Sequence, residues 1–508
     1  MATLKDYRDE RLRKLQALRE LGIEPYPSKS SVQIGNPIRT QTAKNNFDIF
    51  QKQDFTVQGR ITSIRKFGKI AFIVLKDGVG ELQIFISTEL YPTDSEKNVI
   101  GLNDLSLLDT GDFVAIGGAL IKTKTGEISI HARELCLLTK SLRPLPVQQE
   151  GFNNKEERLR RRYIDTNVNK EVYQRYLRRS AFWKATRDFL LSRGFTEINI
   201  PVLENIAGGA DANPFVTHMD ALDQDFYLRI SHELPLKRLL VGGYEQVFDI
   251  GPRFRNENYS DEHLPEHVAM EWYWAYADWK AGMQLTQDMI RYIADTTWQK
   301  RSFTLANGQT VDLGHDEDFP TISFVETIKK QYNIDVFNTT IGEISNNLKE
   351  HGLEVEKTDS IGRGIDKLWK KVRVELPGPA FLIDIPTFLQ PLAKTQPGNP
   401  ALTEQFNLIL GGTEACKAYS ELNDPIDQLH RFKEQQALRD AGDDEAMMMD
   451  IDYVEALEYG MPPACGYGHS ERIFWMLEGV TAREGVPFPQ LRREISETTK
   501  SIYPDLSL

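Results

Sequence analysis

The spacing of apolar residues changes character along this chain. In residues 4–21, Leu4, Tyr7, Leu15, Leu18 and Leu21 stand at helical offsets among charges, and Gly22, Pro25 and Pro27 end the pattern. That spacing predicts an amphipathic leading helix. From about Phe55 the period shortens into β-rich runs, FTVQGRITSIR, KIAFIVLKD, ELQIFIS, DFVAIGGAL and EISIHARELCLLT, divided by turns such as Asp77-Gly78 and Thr125-Gly126. Five strands with a helical segment between the third and fourth suit a small closed barrel of the OB type, a fold that often binds single-stranded nucleic acid. The segment from Leu138 to Pro146 reads as a linker stiffened by Pro144 and Pro146.

A second domain follows. A long helical pattern runs through Phe182, Ala185, Phe189 and Leu190, stops at Gly194, and gives way to the strand-like FTEINIPVL carrying Pro201. Between about Gly314 and Pro377, helical runs interrupt strand-rich regions on either side and read as an insertion. The expected organisation is a helix and connector over 1–50, a barrel over 51–146, and a second domain over 147–508 with its insertion at about 314–377.

The polar chemistry is concentrated in three segments of that second domain. In Phe248 to Asp278, Arg255 and Glu257 are two apart, as are Glu271 and Tyr273, so a hairpin would aim each pair at one face. The aromatic run Trp272, Tyr273, Trp274 and Tyr276 argues that both faces are buried, and buried charge demands a partner or a charged ligand. In GGTEACKAYSELND, Lys417, Tyr419 and Glu421 share one strand face, and Glu414 joins them only through a bend or bulge near Gly411 and Gly412. Glu414 and Glu421 could then hold Mg²⁺ through oxygen ligands, although two glutamates alone are weak evidence for a metal. In PPACGYGHSERIFWML, Arg472 follows glycines and opens a helix-like run, a placement from which a guanidinium can reach phosphate oxygens.

Composition narrows the class. With 508 residues and 40% hydrophobic content the chain can build two or three cores. It has no run of eighteen apolar residues and no apolar signal core in MATLKDYRDERLRK, so a soluble, cytoplasmic protein with no membrane association is expected. Cys136, Cys416 and Cys465 are too scattered for a disulfide framework or zinc knuckle. The net charge of −13 does not advertise nucleic-acid binding. Two local basic runs stand out, Lys5, Arg8, Arg11, Arg13, Lys14 and Arg19, and then Lys155 to Arg179, but interleaved acids favour a solvated helix face for each.

The FRNE arginine followed by a long loop resembles motif 2 of class II aminoacyl-tRNA synthetases, and AMEWYWAYAD resembles its form in lysyl-tRNA synthetases. The helix, strand and Pro201 resemble motif 1, which implies a homodimer, and the segment ending in Arg472 resembles motif 3. The resemblance covers nearly the whole chain. It implies an α+β protein, with an N-terminal OB-fold barrel followed by a class II catalytic domain on an antiparallel β-sheet flanked by helices. The implied function is ATP-dependent attachment of L-lysine to tRNA(Lys) through a lysyl-adenylate, with Mg²⁺.

Residue by residue, the resemblance assigns Arg255 to the α-phosphate and lysine carboxylate, Glu257 to the adenine side, His263 to the triphosphate, and Arg472 to the γ-phosphate. Gly209, Glu233 and Glu271 would take the α-amino end of lysine, Tyr273 and Glu421 its ε-ammonium, and Tyr419 its stem. Glu414 and Glu421 would hold Mg²⁺, with Gly468 part of the glycine-rich lysine site. On the barrel, Phe72, Gln83, Arg65 and Glu134 would meet the anticodon. Three departures from the family pattern stand in the site: Lys417 replaces an asparagine near the substrate carboxylate, His267 replaces a phenylalanine that stacks on adenine, and Leu264 replaces an asparagine. Motif 3 is also one residue short, with His469-Ser470-Glu471 filling the gap.

Other readings have sequence features behind them. His263-Leu264-Pro265-Glu266-His267 spells the HxxEH zinc motif, but that motif needs a helix and Pro265 breaks one. A non-catalytic RNA-binding paralogue would account for the altered motif 3 and Lys417, and a class II ligase for another amino acid or for a protein substrate is a further alternative. Retention of Arg255, Glu257, Glu414, Glu421 and Arg472 together weighs for an active enzyme.

Overall fold

In the computed structural model, all residues except 1–2, 147–151, 258–259, 316, 357–359, 443–445 and 506–508 are described. The chain forms two compact units, Met1–Asn154 with Arg492–Leu508, and Lys155–Leu491. The division therefore falls a few residues beyond the linker expected to end at Pro146, and the last residues group with the N-terminal unit rather than with the catalytic domain.

In the first unit, the helix Leu4–Glu20 starts at a capping box in which Thr3 and Asp6 exchange side-chain and backbone hydrogen bonds. Leu15 and Leu18 are buried, whereas Tyr7 and Leu21 of the expected apolar stripe are exposed. The five expected strands are present as Asp54–Phe67, Ile70–Lys76, Glu81–Ile86, Phe113–Lys122 and Ile128–Thr139, with a 3-10 helix at Leu102–Leu107 between the third and fourth. The first strand pairs with both the second and the fourth, which closes the barrel. Ala71, Ile73 and Leu75 point inward, so the alternate residues Ile70, Phe72 and Val74 lie on the outer face.

The expected linker begins too early. Leu138 and Thr139 still belong to the last strand, and Lys140 is buried, its ammonium donating to Asp109 at 2.6 Å, Asp112 at 2.8 Å and the Leu107 carbonyl at 2.7 Å. Lys14 of the leading helix reaches the same Asp109 at 2.7 Å, and buried Arg11 donates to the carbonyls of Thr110 and Ser141. Part of the first basic run therefore fastens the helix to the barrel.

The second unit is built on an eight-stranded sheet. Its central strands, Ala380–Ile383, Gln405–Leu410, Thr413–Ser420, Ala464–Ser470, Glu266–Ala275 and Gln246–Phe254, run antiparallel in that order, and short strands pair in parallel at each edge. One face packs on the helices Lys170–Ser192 and Trp279–Trp298 through Trp272, Phe406 and Tyr467. The opposite face meets Glu233–Val241, Pro425–Asp440 and Ile451–Glu458 through Tyr273 and Tyr419. Trp272 and Tyr273 are thus buried on opposite faces as expected, but Tyr276 lies past the strand end and is exposed. The second basic run is largely consumed by internal pairs: Arg158 and Arg162 with Asp165, Arg178 with Glu478, and Arg179 with Glu471.

The insertion is helical where expected, with Phe324–Tyr332, Ile341–Glu350 and Ile361–Val372, and it packs around its own core that includes Ile409 of the main sheet. Among the described residues no helix is long and apolar enough to cross a membrane.

Lys140 carries the barrel's buried charge balance, because its removal leaves the buried Asp112 carboxylate without its cation. Lys140→Ala is expected to destabilise the barrel by about 3–5 kcal/mol. Faster backbone hydrogen exchange in Phe113–Lys122 and Ile128–Thr139 of the full-length protein would show it, and unchanged exchange would contradict it.

Candidate active site

The strand register explains how a trough forms on the sheet. Asp249, Glu271, Gly468, Lys417 and Asn407 lie in one row across five strands, and Val247, Tyr273, Gly466, Tyr419 and Gln405 in the next. In these two rows the central strand presents only glycine, while its neighbours raise Glu271 and Tyr273 on one side and Lys417 and Tyr419 on the other. A Cβ at Gly466 would overlap Glu421 Oε1 and the Tyr273 ring. Gly209 has φ +81° and approaches from above, where a Cβ would meet Glu233 Cβ at 2.8 Å.

These elements enclose a cavity of about 350 Å³. Its lining includes Gly209, Glu233, Arg255, Glu257, His263, His267, Glu271, Tyr273, Glu414, Lys417, Tyr419, Glu421, Gly468 and Arg472. Every residue expected at the ATP, lysine or metal sites is therefore in one place. Arg255 and Glu257 reach it from a different setting than expected, since their strand ends at Phe254 and both lie in the following segment. The shortened motif 3 still forms a regular strand over Ala464–Ser470, with Gly468 paired to Glu271 and Lys417.

One end of the cavity is a buried carboxylate cluster. Lys237 Nζ, fully buried, contacts Glu233 Oε1 at 2.6 Å and also Glu421 Oε2, and the Tyr419 hydroxyl donates to Glu233 Oε1 at 2.6 Å. Burial would discharge Lys237, but the two carboxylates hold its pKa above the usual lysine value. Glu421 is pushed well above the ordinary carboxylate range, by burial against the pull of Lys237 and with the added repulsion of Glu233. Glu271 accepts from Ser231 Oγ at 2.8 Å, the His232 amide at 3.1 Å and the Tyr273 hydroxyl at 3.1 Å. Burial opposes its ionisation, yet hydrogen bonding from His232 and the nearby Arg253 guanidinium hold its pKa at about 2. His232 lies between Glu271 and Asp249, whose charge Arg229 meets at 2.9 Å.

The other end gathers guanidinium groups. The Nε atoms of Arg255 and Arg472 are buried without a hydrogen-bond partner among the described residues. Burial, Arg373 and Arg255 lower the Arg472 pKa against the pull of Glu262, and burial with Arg255 and Arg472 lowers that of Arg253. Such crowding of like charge is relieved by an anion. Arg472 opens the helix Arg472–Glu478, and Glu471 before it accepts from Arg179 Nε at 2.7 Å and from the Val268 amide at 3.0 Å, which fixes that turn. His267 is held by Arg253 Nε at 2.7 Å on one ring nitrogen and the Leu264 carbonyl at 3.1 Å on the other, which makes it the tautomer protonated at Nδ1. His263 lies in a loop and His267 on a strand, so the two do not share the helix that a zinc HxxEH site needs.

Glu414 and Glu421, the two residues expected to hold Mg²⁺, both line the cavity but stand in different surroundings. The expected bulge exists, with Ala415 as the extra residue, while Gly411 and Gly412 both take positive φ in the hairpin turn just before it. Glu421 Oε2 is taken by the Lys237 ammonium, so this carboxylate does not offer both oxygens to a divalent metal. Glu414 fits a cation site: its oxygens accept from the neutral donors Trp369 Nε1 at 2.5 Å and Asn407 Nδ2 at 2.6 Å, which leaves its charge for a cation brought by a polyphosphate.

Five contributors escaped the sequence reading. Lys237 is four residues from Glu233, a spacing that signals a helical ion pair. Gly466 lies two residues before Gly468 on the same strand, and Arg253 two residues before Arg255, near the end of its strand. Asn407 lies seven residues before Glu414 on the other arm of the same hairpin, and Trp369 comes from a distant segment that no local pattern links to Glu414.

On the barrel, Arg65, Phe72, Phe85 and His131 form a row across four strands, with ring centroids 5.3 Å apart for Phe72 and Phe85 and 4.8 Å for Phe85 and His131. Phe72 is thus part of a stack on the outer face, and Gln83 stands in the adjacent row, donating to Ser129 Oγ at 3.0 Å. Glu134 differs from expectation: it is buried and accepts from the amides of Gln33 at 2.9 Å and Ile34 at 3.2 Å, so it holds the chain's own backbone.

Residues 154–492 match the family described as tRNA synthetases class II (D, K and N), and residues 55–138 match the OB-fold nucleic acid binding domain. The chain is similar to the lysine-tRNA ligase of Thermotoga maritima, with 39% identity over 96% of each chain. It is 40% identical to that of Fervidobacterium nodosum, over 97% of this chain and 95% of the relative. It is 41% identical to that of Moorella thermoacetica, over 95% and 97%. The chain belongs to the class II tRNA synthetases, in the family of the lysine-tRNA ligases.

Proposed function

We propose that this protein activates L-lysine with ATP and transfers it to tRNA(Lys), acting as a cytoplasmic homodimer. The observation that carries this reading is the charge balance of the cavity. Among the described residues, Glu233, Glu271 and Glu421 are buried around two cations, Lys237 and Arg253, and at the opposite end the Arg255 and Arg472 Nε atoms have no hydrogen-bond partner. A ligand with ammonium groups at one end and an anionic centre at the other satisfies both ends.

In this reading the lysine stem lies along the glycine trough beside Tyr419, with its ε-ammonium between Glu421 and the Tyr273 hydroxyl. Burial keeps both phenols neutral, so Tyr273 and Tyr419 act as hydrogen-bonding groups rather than charges. The α-amino group turns toward Glu271, Glu233 and Gly209. Lys417, on the trough face between these groups and Glu414, meets the substrate carboxylate. That carboxylate is already a nucleophile at neutral pH, so no general base is needed. Its oxygen attacks the α-phosphorus, the bond to the β-phosphate oxygen breaks, and pyrophosphate leaves. Arg255 stabilises the charge developing on the α-phosphate, while Arg472 and His263 hold the terminal phosphates. Glu257 and His267 line the adenine side, and Glu414 would hold Mg²⁺, which neutralises phosphate charge when ATP is bound. The terminal ribose hydroxyl of tRNA then attacks the lysyl carbonyl and releases AMP. On the barrel, the Arg65, Phe72, Phe85 and His131 row offers unstacked anticodon bases an aromatic platform.

Amino-acid-dependent exchange of pyrophosphate into ATP, screened over the standard amino acids, tests the assignment. Exchange with lysine alone is expected; exchange driven by another amino acid, or by none, contradicts it. Gly466→Ala places a methyl group against Glu421 and Tyr273, so it should lower kcat/KM for lysine by about 100-fold. The KM for ATP should stay within about twofold, and an equal loss for both substrates would contradict the placement of the ammonium end.

A further inference from the structure

The helical insertion supplies a group to the nucleotide end of the cavity. Trp369 sits on the helix Ile361–Val372, is 1% exposed, and packs on Phe324 of the helix Phe324–Tyr332 at 5.1 Å between ring centroids. Its indole Nε1 donates to Glu414 Oε1 at 2.5 Å. The other oxygen of Glu414 is held by Asn407, whose own side-chain oxygen accepts from Gln405 Nε2 at 3.0 Å. Gln405 and Asn407 are both buried. Glu414 is therefore the end of a polar chain running through the sheet on one side and the insertion core on the other.

We infer that Trp369 and Asn407 are positioning residues that fix the Glu414 carboxylate for the divalent cation accompanying ATP, so that packing of the insertion sets the affinity of that cation. The inference rests on the proposed function, in that Glu414 faces the cation of a bound nucleotide. Each oxygen of Glu414 is oriented by one neutral N–H, and neither donor cancels the carboxylate charge. This differs from Glu421, which is paired to an ammonium. An indole N–H on a rigid, buried ring has little freedom to follow the carboxylate, so the carboxylate follows the ring. Partners that orient a metal ligand typically contribute 10- to 100-fold in metal affinity.

The test is Mn²⁺ binding to the full-length protein in the presence of ATP, read by electron paramagnetic resonance. Trp369→Phe keeps the ring and removes the N–H. It should weaken Mn²⁺ binding about tenfold or more. Metal-free ATP binding in EDTA and lysine binding by calorimetry should remain unchanged. Asn407→Leu removes the other N–H at similar volume and should weaken Mn²⁺ binding by a similar factor. Wild-type affinity in folded Trp369→Phe, or in Asn407→Leu should the first variant not fold, would overturn the inference. Absence of ATP-dependent Mn²⁺ binding in the wild-type protein would instead overturn the reading of Glu414 on which it rests.

Discussion

Glu233, Glu271 and Glu421 share a buried space in which, among the described residues, Lys237 and Arg253 are the facing cations, and the rest of the catalytic unit is arranged around that balance. A buried carboxylate without a partner is costly, and such a group takes a proton or a ligand. The upward shift of Glu421 is the first outcome, and a substrate ammonium provides the second. The glycine strand follows from the same constraint, because a side chain at Gly466 would occupy the space between Glu421 and Tyr273.

The sheet then converts one dimension of the ligand into one direction of the strand. Along Thr413–Ser420 and just beyond it, Glu414, Lys417, Tyr419 and Glu421 succeed one another from the guanidinium end to the carboxylate end. A molecule with separated cationic and anionic groups is thereby oriented before any chemistry occurs. Positioning of this kind, together with Arg255 and Arg472 at the site of developing charge, is the main contribution a protein can make to phosphoryl chemistry by a carboxylate.

Much of this was legible in the chain because it depends on period. The spacing of two in Glu271 and Tyr273 and in Lys417, Tyr419 and Glu421 places these side chains on one face, and the odd offset of Glu414 demanded the bulge that Ala415 supplies. The five barrel strands and the helical insertion were readable from the same alternation of periods. What escaped depends on contacts between segments remote in sequence. Lys237 takes one oxygen of Glu421 away from a shared metal site, and the Gln33 and Ile34 amides take Glu134 away from the barrel's open face. Trp369 reaches Glu414 only because the insertion packs against the sheet edge. Phe72 shows the reverse case, since its apolar neighbours suggest core while the inward alternation of Ala71, Ile73 and Leu75 turns it outward.

The measurement that addresses the charge balance most directly is the proton count on lysine binding, from calorimetry in buffers of different ionisation enthalpy. Below its raised pKa the empty site holds a proton on Glu421, and an arriving ammonium favours the ionised form, so lysine binding should release protons. The release should diminish as pH rises through that pKa and vanish in Glu421→Gln. Lysine binding with proton uptake, or with no exchange at any pH, would contradict the account.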